Sequence, residues 1–178
     1  MYVWKKKNLG FIAHPKTASI ATKRTLESLG ATELGGHHEQ LPEWCRPILE
    51  SGGIIMSTVR NPFDLMVSWY FHYQRKLGGQ VRSFKDWITL FFQNPNDYVR
   101  LGSFRGLQWT NRILRFENLQ ADFDAVLAEI GVEPTVIEQW NVSHLREGRP
   151  YREFYDDETR ELVASQFWQE LADLDYCF

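Results

Sequence analysis

The chain has 178 residues, 43% hydrophobic and 15% aromatic, which supports a full core and excludes disorder as the main state. Its 20 basic residues are outnumbered by 23 acidic ones, so the broad basic field of a nucleic-acid-binding protein is missing and an anionic ligand must be met by a local cluster. The two cysteines, Cys45 and Cys177, show no metal-ligand or redox spacing, and no apolar run approaches the roughly 18 residues that cross a bilayer.

Lys5, Lys6 and Lys7 precede an apolar run that stops at His14 and Pro15, too short for a secretory leader. These features predict a soluble, cytoplasmic chain forming a single domain over 1–178, without repeats, linkers or low-complexity segments. Leu9 to Leu29 reads LGFIAHPKTASIATKRTLESL, predicting a strand at Phe11, Ile12 and Ala13, a tight loop from His14 to Ser19, and a helix from Ile20 to Leu29 closed by Gly30. A loop between a strand's carboxyl end and a helix's amino end gathers unpaired N–H groups at the positive pole of the helix, where an anion is favoured. Lys16 adds a full charge there, and Thr17 and Ser19 add hydroxyl donors. No glycine lies between Phe11 and Leu29, so the loop is not the G-x-x-x-x-G-K-[ST] of nucleotide triphosphatases.

Ala31 to Leu34 predicts a second strand, followed by Gly35-Gly36, then His37-His38-Glu39, and a helix from Pro42 to Glu50 with Pro42 in its first turn. If that strand runs parallel to the first, His37 emerges at the same sheet edge as Lys16, the edge at which open α/β sheets bind ligands. Imidazole accepts a proton near neutral pH, which makes His37 or His38 the general-base candidate; the alternative is a polar turn with two solvated imidazoles.

Ile54 to Val59 predicts a buried strand between Gly52-Gly53 and Arg60. Asn61 suits an N-cap and Pro62 the first position of an apolar helix carrying Phe63, Met66, Val67, Trp69, Tyr70 and Tyr73, with Ser68 two turns along. Arg60, at a strand end beside a helix start, predicts a second anion site. Ser83 with Asp86 begins a further helix whose Phe84, Trp87, Ile88 and Phe91 form a core stripe. Ile113 to Val132 predicts a strand and a helix with Leu119, Phe123, Val126, Leu127 and Ile130 on one face, ended by Gly131. A polar loop with Arg146, Arg149 and Arg152 then leads to a helix beginning near Asp156 or Asp157 and packed through Leu162, Val163, Phe167 and Leu171.

The loop HPKTAS resembles the 5′-phosphosulfate loop of sulfotransferases that use 3′-phosphoadenosine 5′-phosphosulfate (PAPS). Val59-Arg60-Asn61-Pro62 followed by Ser68-Trp69-Tyr70 resembles the same family's 3′-phosphate element, and LRFENL resembles its R-[FY]-E-[DN]-L strand. Arg146-Glu147-Gly148 is similar to the family's R-K-G triplet, with Glu147 in place of lysine, and Asp175-Tyr176-Cys177-Phe178 resembles the end of bacterial and carbohydrate sulfotransferases. The resemblance implies an α/β fold, a three-layer P-loop-NTPase-like domain with a central, mostly parallel sheet flanked by helices.

It further implies PAPS as co-substrate and PAP, the 3′,5′-bisphosphate, as product. Lys16, Thr17, Ala18, Ser19 and Thr22 would hold the 5′-phosphosulfate, Arg60, Ser68 and Arg146 the 3′-phosphate, and His37 would act as base with His38 next in line. Lys16 would also stabilise the leaving oxygen, no metal is required, and the partner is a small-molecule or glycan acceptor bearing a hydroxyl or amine. Ile20 and Ala21 depart from the PKSGTTW form of the loop, with Thr22 as the substitute hydroxyl. Two other readings are a non-catalytic PAP- or nucleotide-binding module, which keeps Lys16, Arg60 and Ser68 but has no need of His37, and a P-loop kinase, which lacks its glycine-rich loop here.

Overall fold

In the computed structural model, Lys5–Lys7 form a 3-10 turn that folds Tyr2–Trp4 (β1) back onto Leu9–Ile12 (β2). Asn8 closes this hairpin in the left-handed region at φ 51°, which asparagine tolerates better than most residues, and its N–H donates to the Lys5 carbonyl at 3.2 Å. The structure describes residues 1–34, 41–78, 83–93, 104, 106–138 and 146–178. The chain divides into two compact units, each made of two stretches: Met1–Val59 with Val99–Trp140, and Arg60–Tyr98 with Asn141–Phe178.

The remaining strands are Thr32–Glu33 (β3), Ile54–Val59 (β4) and Arg112–Arg115 (β5). The helices are Ser19–Ser28 (α1), Leu41–Glu50 (α2), Pro62–Lys76 (α3), Phe84–Gln93 (α4), Leu119–Glu129 (α5), Asp157–Gln166 (α6) and Trp168–Asp173 (α7). The five strands among the described residues belong to the first unit and form one sheet in the order β3-β1-β2-β4-β5. β2, β4 and β5 are parallel neighbours, whereas β1 is antiparallel to both β2 and β3, so the sheet is mixed where the resemblance implied a mostly parallel one. The physical reason is the lysine turn, short enough to join antiparallel neighbours but not to make a parallel crossover.

Alternation along the strands sorts the first unit's core onto the two sheet faces. Tyr2, Trp4, Leu9, Phe11, Ile54 and Met56 pack with Leu26 of α1 and with Phe123, Val126 and Leu127 of α5. Val3, Ile12 and Ile55 pack with Cys45 and Ile48 of α2. Lys7 extends from the hairpin to the carboxyl end of α5, donating to the carbonyls of Ile130 at 2.9 Å and Gly131 at 3.2 Å, a favourable place for a cation. Gly53 is required by close approach, since a Cβ there would collide with the Asn8 carbonyl that accepts the Ile54 N–H.

The second unit is helical among its described residues. Asn61 caps α3, its Oδ1 accepting the Phe63 N–H at 3.0 Å with Pro62 at the first position, as the sequence predicts. The Asn61 amide also donates to the Cys177 carbonyl at 2.8 Å, fixing the tail beside the start of α3. Phe63, Phe84, Tyr155 and Phe178 form an edge-to-face cluster with ring centroids 4.9 to 5.6 Å apart for Phe84–Tyr155, Phe63–Phe178 and Phe63–Tyr155. Asp156 begins α6 in a capping box with Thr159. The single final helix expected from the sequence is interrupted at Phe167, which is fully buried and separates α6 from α7. No helix among the described residues is long and apolar enough to cross a membrane.

Candidate functional site

The loop between β2 and α1 is held in an unusual backbone conformation. Lys16 at φ 66° and Ala18 at φ 62° are both left-handed, on either side of Thr17, although neither is glycine. Each costs about 1–2 kcal/mol relative to the right-handed form. Backbone that alternates in hand turns its N–H groups toward a common concavity, a nest suited to an anion. The amino end of α1 has no side-chain cap and no acidic residue in its first turn, so nothing in its own sequence neutralises the positive pole of the helix.

Thr17 holds this conformation in place. Its side chain is fully buried, and its Oγ1 donates to the His14 carbonyl at 2.9 Å and lies 2.6 Å from the Thr58 hydroxyl on β4. That hydroxyl therefore braces the loop, while Lys16 is half-buried and Ser19, the first residue of α1, is 9% exposed. Thr22 is buried inside α1 with its hydroxyl bonded to the Ala18 carbonyl at 3.3 Å. Thr58 has no distinguishing mark in the sequence beyond a β-branched residue in a strand.

The second cluster lies wholly within the other unit. Asp64, in the first turn of α3, is 7% exposed and accepts hydrogen bonds from two arginines. Its Oδ2 takes Arg60 Nε at 2.8 Å and Nη2 at 2.7 Å, and its Oδ1 takes Arg146 Nη1 at 2.7 Å. Two guanidinium groups share one carboxylate, so the trio carries a net positive charge. Ser68 is half-buried one turn beyond Asp64, and the i,i+4 spacing puts it on the same face of α3. Arg146 also donates from Nε to the Arg149 carbonyl at 2.7 Å, bending its own segment, where Glu147 at φ 53° is left-handed.

Among the expected site residues, Arg60, Arg146 and the Ser68 face of α3 are thus brought together, and Lys16, Thr17, Ala18, Ser19 and Thr22 form one loop and helix start. β3 runs in the same sense as β2, with β1 between them, so its carboxyl end points to the sheet edge from which the Lys16 loop emerges. The two histidines after it, His37 and His38, lie outside the described residues. Sequence reasoning missed Asp64; its signal was an acid one helical turn beyond Arg60. Lys85 is engaged by Asp156 at 2.9 Å and Glu158 at 2.6 Å. Glu117 is exposed, and the acid that serves the α5 start is Asp122, which accepts the Arg115 N–H at 2.7 Å.

No group of three or more metal-ligating side chains occurs among the described residues. The Tyr155 hydroxyl donates to the Phe63 carbonyl at 2.9 Å, and burial together with the neighbouring Asp64 charge pushes its ionisation well above the usual tyrosine range. Compared with protein-family models, curated proteins and solved structures, the chain matches none. What the fold and these two clusters define is an α/β protein with a mixed five-stranded sheet.

Proposed function

We propose that the protein is a PAPS-dependent sulfotransferase built on a three-layer, P-loop-NTPase-like domain. The observation that carries this is the strained loop: two non-glycine residues in left-handed conformation, braced by a buried threonine pair, at an uncapped helix start that bears Lys16. Strain of this kind persists where the surroundings over-determine it and marks functional backbone. The Arg60–Asp64–Arg146 trio supports a second, separate phosphate site, and PAPS carries two phosphate positions.

In this reading the N–H groups of Ala18 and Ser19, with the Lys16 ammonium, hold the 5′-phosphosulfate, and Thr17 and Thr22 shape that loop and helix start. Arg60, Arg146 and Ser68 take the 3′-phosphate. The acceptor's hydroxyl or amine attacks sulfur in line; the new bond to sulfur forms as the bond from sulfur to the 5′-phosphate oxygen breaks. His37, or His38 next to it, takes the acceptor's proton, and PAP departs with the bonding electron pair stabilised by Lys16. Positioning and charge stabilisation supply the rate, as in phosphoryl transfer. The acceptor is a small molecule or a glycan, and the site of action is the cytoplasm.

Titration calorimetry with PAP tests this, with 5′-AMP as the ligand that lacks the 3′-phosphate. Wild-type protein binds PAP in the micromolar range and 5′-AMP far more weakly; PAP binding equal to that of 5′-AMP would end the sulfotransferase reading. A binding module without activity is separated by PAPS turnover, which His37→Ala abolishes in an enzyme while PAP affinity stays.

A further inference from the structure

We infer that Asp64 is a positioning residue that presents Arg60 and Arg146 as a two-arginine clamp for a doubly charged phosphate monoester. The identity of that monoester as the 3′-phosphate of PAPS rests on the function proposed above; the clamp itself rests on geometry within one unit.

Three observations support it. First, the carboxylate is shared so that each oxygen has its own arginine: Oδ2 accepts two N–H groups of Arg60 and Oδ1 accepts one from Arg146. A guanidinium held along one edge in this way has its plane and direction fixed, and the rotamer entropy of a long side chain is lost on folding and not on binding. Secondly, Arg146 is bonded through Nε and Nη1, and its Nη2 group has no partner among the described residues. Thirdly, stability does not account for the arrangement. Burying a carboxylate with a guanidinium is commonly no better than apolar packing of the same volume, and here a second, half-buried guanidinium shares the same carboxylate. Two guanidinium groups against one carboxylate favour a dianionic phosphate, and the guanidinium fork matches phosphate oxygens in pairs.

The charge of Asp64 gives the test its sign. If the carboxylate were only an opposing charge near an anion site, Asp64→Asn would tighten phosphate binding, because the cluster becomes more positive. A positioning carboxylate predicts the reverse: Asp64→Asn weakens PAP about tenfold, the loss of one charge-assisted contact, with 5′-AMP affinity unchanged and with Asp64→Glu recovering part of the loss. Equal or tighter PAP binding by a folded Asp64→Asn variant overturns the assignment. A second arm needs no variant and no nucleotide. Inorganic phosphate, titrated above neutral pH where it is dianionic, shifts the Nε–Hε resonances of both Arg60 and Arg146 in the wild-type NMR spectrum. Resonances that do not move overturn the clamp, even if PAP binds elsewhere; resonances that move while PAP binds no better than 5′-AMP uphold the clamp and remove the PAPS reading.

Discussion

The two clusters to which we assign anion binding are built from opposite materials. The loop after β2 makes its concavity from backbone: left-handed Lys16 and Ala18, an uncapped helix pole, and a buried hydroxyl pair that holds the shape. The cluster at the start of α3 is made from side-chain charge, two arginines disciplined by one buried aspartate. The first costs conformational strain and the second desolvation. The loop's shape depends on the buried Thr17–Thr58 hydroxyl pair, whereas the arginine cluster depends on the single carboxylate of Asp64.

Asp64→Ala therefore has the largest expected effect. It removes the carboxylate shared by two arginines and costs about 3–5 kcal/mol in chemical denaturation, the range seen when one partner of a buried ion pair is removed. A loss below about 1 kcal/mol would mean the trio is solvated and the contrast between the clusters is wrong. Next comes Thr17→Val, which removes the hydroxyl between the His14 carbonyl and Thr58 and leaves buried polar groups unsatisfied. It costs about 1–3 kcal/mol and weakens PAP by loosening the loop; unchanged stability would show that the brace is not needed.

Ala18→Gly sharpens the contrast from the other side. Relief of left-handed strain and the added chain entropy of glycine oppose each other, so stability changes by less than about 1 kcal/mol. Affinity for PAP nevertheless falls, because the loop is no longer fixed in its binding conformation. The smallest effect concerns the first unit's core, where burial pushes the Cys45 thiol up to about 11 from an ordinary 9.0. A raised folded value means that its contribution is fully present below the unfolded value and is lost as pH rises from 9.0 toward about 11. Near neutral pH a thiol reagent modifies exposed Cys177 and spares Cys45; prompt labelling of both would place Cys45 outside the core.

Much of the local structure was legible because its signals are local. Asn61-Pro62 fixed the start of α3, Ile54 to Val59 is β4 at both ends, and Gly131, left-handed at φ 64°, follows α5 as its apolar spacing requires. The β1 hairpin was not legible, because three lysines read as a basic flank and Tyr2–Trp4 is too short to show a period. β3 is two exposed residues whose pairing is decided by β1, not by any pattern of its own. In the site, residue types marked the Lys16 loop and Arg60, but not what each side chain does. Thr17 was expected among the phosphate ligands, and its hydroxyl faces into the protein because Thr58 meets it across the sheet. Asp64 escaped notice since half of its meaning lies in Arg146, far along the chain.

We propose that the Lys16 loop recognises the 5′-phosphate of PAP and the Arg60 cluster its 3′-phosphate. The direct measurement is calorimetric affinity for PAP, 5′-AMP and 3′-AMP in the wild type, Lys16→Ala and Arg60→Ala. Wild type should prefer PAP to both monophosphates. Lys16→Ala should lose about tenfold to a hundredfold for PAP and 5′-AMP but little for 3′-AMP, and Arg60→Ala the same for PAP and 3′-AMP but little for 5′-AMP. Equal affinity for all three ligands, or identical losses across the ligands in both variants, would contradict it.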